Sequence, residues 1–137
     1  MPSGKIKWFN PTRIRLRKEK TMAQLSTKIE KYLAERGVNT VNFNSDVLLQ
    51  DDSNGSGPYI KEWNIDGVAK PTDTQLDDLD SAADLEERQN AVRATRKIAY
   101  GDIGNQLDMQ YKDSVNGTTT WKDHVAGVKS ANPIPTE

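Results

Sequence analysis

The chain has 137 residues, of which 28% are charged and 34% hydrophobic, with a net charge of −1, one histidine and no cysteine. The lack of cysteine excludes disulfides, thiolate nucleophiles and cysteine-bound zinc or iron–sulfur centres, and a single histidine excludes a multi-histidine metal site. No stretch reaches the ~18 apolar residues of a membrane span, and no apolar segment typical of an export signal follows the first basic residues. The composition therefore predicts a structural or interaction protein that is not an enzyme and uses no cofactor.

The N-terminal segment is strongly basic. Residues 1–21 carry seven cations and one anion, a net charge of +6, whereas residues 22–137 carry 12 cations and 19 anions, a net charge of −7. Charged and apolar residues alternate over 5–9 and over 13–17, which is the period of a strand with one buried face. Asn10-Pro11-Thr12 between them is typical of a turn. We therefore predict a basic β-hairpin or arm that docks onto another surface.

The basic arm, residues 1–21, has three candidate uses. It could contact an acidic protein partner, neutralise the acidic body of its own chain, or bind nucleic acid. Aromatic and arginine side chains supply most of the binding energy at protein interfaces. The candidate partner-contacting residues are therefore Trp8, Phe9, Arg13, Arg15 and Arg17. The codons for residues 18–22 would resemble a ribosome-binding site before a start codon, so Met22 is an alternative start.

A helix and a β-hairpin are expected next. The helix is predicted over 22–36, with Thr21 as a candidate N-cap and a single apolar stripe. That stripe comprises Leu25, Ile29, Tyr32 and Leu33. Residues 38–65 combine β-branched and aromatic residues with a polar, glycine-containing loop at 51–57, which predicts a β-hairpin.

Residues 72–131 form a predominantly helical region in the sequence, followed by an extended tail over 132–137. Thr72 and Gln75 have the spacing of a capping box, in which side chain and backbone satisfy each other at a helix start. A second helix start is predicted at Thr120, with Asp123 as its acidic third residue. Residues 103–113 are predicted to form a short helix that places Ile103, Leu107 and Tyr111 four residues apart. In the last helix, Val125 and Val128 are predicted to face inward with Trp121. Trp63 is also expected in the core. The predicted fold class is α+β, with a small antiparallel hairpin sheet packed against several helices.

Two short motifs resemble chemical sites, but each lacks a residue that the chemistry requires. Asp52, Asn54 and Ser56 have the spacing of the first calcium ligands of an EF-hand loop, but Trp63 stands where a bidentate Glu is required. A connecting loop is the better interpretation. His124 beside Asp123 lacks a nucleophile motif, so a catalytic triad is not indicated.

Several spaced motifs in the second half of the chain resemble a known family. They are Trp63–Gly67, Lys70–Leu76, Ala94–Tyr111 and Asn116–Val125, in that order. This pattern is similar to small tail-associated proteins of tailed bacteriophages related to the XkdW-like family, and the resemblance spans roughly residues 60–135. Gly101 stands where the pattern usually has Pro, and Asn105 where it usually has Asp, which affects a turn and a helix cap.

The resemblance implies a virion structural protein of a tailed phage. Such a protein would be made in the host cytoplasm, would sit in the tail, baseplate or fibre-attachment region, and would bind other virion proteins without a membrane. Alternatives are a capsid decoration protein, a tail-fibre assembly chaperone absent from the mature virion, and a nucleic-acid-binding protein acting through the basic arm. Self-association is left open. The family supplies no catalytic residues to transfer to this chain.

Overall fold

The computed structural model describes residues 22–137. The predicted N-terminal hairpin lies outside the described residues, and so do all five candidate partner-contacting residues of the arm. These are Trp8, Phe9, Arg13, Arg15 and Arg17.

The described chain contains five helices and one two-stranded antiparallel sheet, which is the α+β class that the sequence predicted. In chain order the elements are α1 (Leu25–Ala34), β1 (Val47–Gln50), β2 (Tyr59–Trp63), α2 (Asp73–Asp78), α3 (Asp80–Tyr100), α4 (Ile103–Asn116) and α5 (Thr120–Ala131). Within residues 22–137 no helix combines the length and apolar character needed to cross a membrane.

Helix α1 is shorter than the predicted 22–36, and its N-cap is Gln24 rather than Thr21, which lies outside the described residues. The Gln24 side chain makes no capping hydrogen bond within the described chain. Instead, the amide of Ala23 donates to Asp80 at 3.1 Å and the amide of Gln24 donates to Glu87 at 2.8 Å. Two carboxylates from α3 therefore hold the two residues that immediately precede α1.

The core lies between α1, the hairpin and α2. Three large side chains are completely buried, and three more buried side chains join them in one cluster. The six members are Ile29, Tyr32, Leu33, Val47, Ile60 and Leu76. The predicted stripe on α1 therefore supplies half of the buried cluster, with Leu25 partly buried against it. Trp63 is only partly buried; its ring meets the Tyr32 ring edge-on at 6.2 Å, and its indole N–H donates to the Val68 carbonyl oxygen at 2.8 Å.

The hairpin strands occupy a smaller part of 38–65 than the prediction implied. Val47 pairs with Trp63 and Gln50 pairs with Tyr59, with an irregularity between Leu48 and Leu49. Residues 42–46 form a turn in which the Asp46 carboxylate accepts a hydrogen bond from the Asn42 amide at 2.9 Å. That bond, with another from Ser45, lowers the pKa of the Asp46 carboxyl from its ordinary value. Side-chain capping of this turn explains why β1 begins only at residue 47.

Residues 72–131 are helical with short interruptions, and their first helix begins as predicted. The Thr72 hydroxyl accepts from the Gln75 amide, and the Gln75 side chain accepts from the Thr72 amide, which completes the capping box. Helix α5 packs against both α3 and α4. The tail after α5 runs back along α3, where Arg96 donates to the Asn132 carbonyl at 2.7 Å and Gln89 donates to that of Pro135 at 2.9 Å.

Candidate protein–protein interface

Helix α4 begins and ends at well-defined caps. The Asp102 side chain accepts a hydrogen bond from the Asn105 amide at 3.2 Å, which caps the N-terminus. Gly117 ends the helix in the left-handed conformation with φ of 67°, which an L side chain rarely adopts. The departure from the family pattern at Asn105 therefore preserves the cap, because only its backbone amide is used.

The apolar side of α4 faces solvent. Ile103 is 69% exposed, Leu107 58%, Tyr111 68% and Val115 64%. Residues four apart lie next to one another on one side of a helix, so these four side chains form a continuous row. We call them the α4 row. The helix predicted over 103–113 is present and extends to Asn116, and Ile103, Leu107 and Tyr111 share one face of it, as their spacing predicted.

The opposite side of α4 is the one that meets α5, and it is mostly polar. Gln106, Met109 and Asp113 are the partly buried residues of this helix. The Gln106 side-chain oxygen lies 3.5 Å from the indole nitrogen of Trp121. Neither α4 nor α5, both fully described, contains a fully buried residue.

Asp113 determines which side of α4 faces α5. Its carboxylate accepts hydrogen bonds from the amides of Thr120 at 3.0 Å and Trp121 at 2.8 Å, the first residues of α5. The Thr118 hydroxyl also donates to it, and together these bonds lower the pKa of the Asp113 carboxyl. The predicted cap at Thr120 is therefore wrong: Thr119 is the N-cap residue, and the free amides of α5 are capped by a carboxylate from α4.

The inward face predicted for α5 is only partly formed. Trp121, Val125 and Val128 are partly buried, and none is enclosed. The Nε2 atom of His124 lies 3.0 Å from the Tyr100 carbonyl oxygen, so the ring donates its Nε2 proton and ties α5 to the end of α3. This contact gives His124 a structural use.

Side chains of the polar loop between β1 and β2 accept hydrogen bonds from the backbone amides of the same loop. The Asp51 carboxylate accepts from the Ser53 amide at 2.8 Å, and the Asn54 side chain accepts from the Ser56 amide at 2.9 Å. Such side-chain turns are the ordinary chemistry of a connecting loop. Over residues 22–137 no group of three or more His, Asp or Glu side chains is placed to hold a metal ion.

Comparison with family models supports a phage-related protein. More specifically, residues 30–88, less than half of the chain, match the family model described as XkdW protein, and this segment is similar to a phage XkdW-like module. It runs from α1 through the hairpin and α2 into α3. The resemblance seen in the sequence is thus confirmed, but the match overlaps the expected 60–135 only over 60–88, and α4 lies beyond it. The searches of curated proteins and of solved structures found no match.

Proposed function

We propose that this chain is a virion structural protein of a tailed phage, located in the tail, baseplate or fibre-attachment region. It acts by assembling with other proteins and performs no catalysis. The observation that carries the proposal is the α4 row, a set of four large apolar side chains exposed on one helix. In a phage-related chain, such a surface is best explained as an assembly contact.

The energetics of the α4 row support a binding role. Burying a side chain of this size on a partner is worth about 1.5–3 kcal/mol, so leaving four exposed forgoes a large stabilisation. A contiguous apolar patch rimmed by polar residues is characteristic of interaction sites. Only 34% of the residues in the chain are hydrophobic, so few apolar side chains are available to form a core. Their placement on the surface is therefore more informative than it would be in an apolar protein.

The basic arm would provide a second contact in this proposal. Residues 1–21 carry a net charge of +6, and Trp8, Phe9, Arg13, Arg15 and Arg17 are the residue types that dominate interface energetics. The arm would add a strand to the sheet edge of a neighbour or insert into its surface. Two separate contacts on a small protein suit a component that joins larger virion parts.

Quantitative mass spectrometry of gradient-purified particles tests the proposal. We expect the protein at constant stoichiometry, and we expect it in tails rather than heads after the two are separated. Recovery with heads would instead identify a decoration protein. Absence from particles, with abundance in the infected lysate, would overturn the proposal in favour of an assembly chaperone.

A deletion tests the arm independently. Removing residues 1–21, so that the chain begins at Met22, should release the protein from particles while the urea denaturation curve of the purified protein stays close to that of the full chain. Incorporation of the truncated protein at full copy number would exclude a role for the arm. DNA binding that weakens steeply with added salt would assign the arm to nucleic acid instead.

A further inference from the structure

We infer that two copies of this chain associate through α4, packed antiparallel about a two-fold axis. The inference deepens the proposed function by naming the occupant of the α4 row, and it rests on that proposal for its place in a virion. A symmetric contact of this kind uses the same surface on both copies, so the surface must complement itself.

The spacing of the α4 row meets that requirement. With the axis midway between Leu107 and Tyr111, Leu107 lies beside the partner's Tyr111 and Ile103 lies beside the partner's Val115. Every apolar side chain then faces another apolar side chain, and each aromatic ring meets an aliphatic one. Both copies bury the whole row at once.

The charges beside the row favour a second copy in the antiparallel orientation. Asp108 and Lys112 lie along one edge of the row, both exposed, with the Lys112 ammonium 2.6 Å from the Asp108 carboxylate. About a two-fold axis, this edge meets the same edge of the second copy running in the opposite direction. At this register each Asp108 lies two residues, about 3 Å, along the helix axis from the partner's Lys112 and equally far from the partner's Asp108. The edge therefore forms two opposite-charge pairs against one like-charge pair. Opposite charges across an interface set its register and orientation.

A parallel arrangement lacks this complementarity. There, the edge that carries Asp108 and Lys112 would meet the opposite edge of the row, which carries the exposed and uncharged Gln110. No charge pair would form. The charge pattern of α4 therefore distinguishes the two orientations and matches the antiparallel one.

The size of the row is adequate for a reversible dimer. Its four side chains are each more than half exposed, and they supply part of the about 800 Å² per partner that a standard specific interface buries. The polar residues along both edges would supply the remainder. Such an interface would be at the modest end of the range, so the dimer should dissociate on dilution.

Sedimentation equilibrium of the full chain, from about 1 to 100 μM, measures the association. We expect a reversible monomer–dimer equilibrium that Leu107→Glu shifts to monomer across the whole range, because it places a charge within the apolar contact. The matched control is Ile98→Glu, at a residue of α3 that is 81% exposed and outside the row, which should dimerise like the parent. Circular dichroism of each variant verifies its folding.

A charge exchange gives a sharper test. Asp108→Lys places two lysines on each edge, and Lys112→Asp places two aspartates there, so each variant alone should raise the dissociation constant about tenfold or more. An equimolar mixture of the two should restore association as a heterodimer, identified by its intermediate mass in native mass spectrometry. Loss of an intrahelical ion pair alone would weaken both variants but would not make them complementary.

Three results would overturn the inference. They are a wild-type chain that is monomeric at 100 μM, a dimer that Leu107→Glu leaves intact, and a mixture of the charge variants that fails to associate. A monomer present at constant stoichiometry in particles would assign the α4 row to another virion protein and leave the proposed function standing. A dimer that is absent from particles would support the association through α4 and overturn the proposed role in the virion.

Discussion

The ammonium group of Lys28 lies 2.9 Å from the carboxylate of Asp80, and both side chains are less than a tenth exposed. The same carboxylate oxygen accepts a hydrogen bond from the Ala23 amide. This buried pair joins α1 to the first residue of α3 and closes one end of the core. Taking either charge away leaves the other in a desolvated position, which is more costly than loss of an exposed ion pair.

Replacing one member of this pair should therefore destabilise the fold strongly. We expect Asp80→Asn to lower the free energy of unfolding by about 3–5 kcal/mol in urea denaturation. Lys31→Met removes the more exposed ion pair between Lys31 and Glu86 and should cost less than about 1 kcal/mol. Equal losses for the two variants would show that the buried pair contributes no more than a surface pair.

The location of the core can be tested with one substitution made at two isoleucines. Ile29 is fully buried and Ile98 is 81% exposed. Ile29→Ala should cost about 2–5 kcal/mol because it removes buried apolar area and leaves a cavity. Ile98→Ala should change stability by less than about 0.5 kcal/mol. A comparable loss at Ile98 in urea denaturation would contradict the assignment of the core.

The capping box at the start of α2 makes a smaller, local contribution. Thr72→Ala removes the hydroxyl that accepts from the Gln75 amide, and we expect it to cost about 1 kcal/mol. The exposed Thr74, two residues further on, offers the matched control Thr74→Ala, which should stay within about 0.5 kcal/mol of the parent. The cap would be dispensable if both variants unfolded at the same urea concentration.

The contacts of Asp113 predict a local effect on the start of α5 and a pH-dependent effect on stability. Asp113→Asn should speed hydrogen exchange at the amides of Thr120 and Trp121 roughly tenfold, because their carboxylate acceptor loses its charge. Asp78→Asn, at an exposed residue of α2, should leave the exchange rates of these two amides unchanged. An unchanged exchange rate in Asp113→Asn would show that another group caps α5.

The sign of the pH effect follows from the lowered pKa of Asp113. Its folded-state pKa lies below the ordinary value of 3.8, so the folded form holds the ionised carboxylate more favourably than the unfolded chain does. Its stabilising contribution is complete above pH ~4 and is lost as the pH falls through the lowered pKa. Urea denaturation below pH ~4 should therefore show a smaller acid-induced loss in Asp113→Asn than in the parent. An equal acid-induced loss of stability in Asp113→Asn and the parent would contradict this prediction.

The local sequence pattern was sufficient to predict some parts of the fold. The α1 stripe and the Thr72 capping box depend on spacings of three and four residues, and such spacings are set by helix geometry alone. The α+β class follows from the same local information. The exact strand limits did not follow, because the turn at 42–46 is closed by Asp46 and occupies residues whose β-branched neighbours favour a strand.

The sequence by itself determined that α4 has one apolar side, because the four-residue spacing leaves no other arrangement in a helix. Only the tertiary structure decided that this side faces solvent. The carboxylate of Asp113, on the other side of α4, satisfies the amides of α5 and turns the polar side inward. In the same way, the two residues before α1 are held by Asp80 and Glu87, which lie 57 and 63 positions from the amides that donate to them. Hydrogen bonds between distant elements carry no periodic signal, so a reading of local pattern cannot anticipate them.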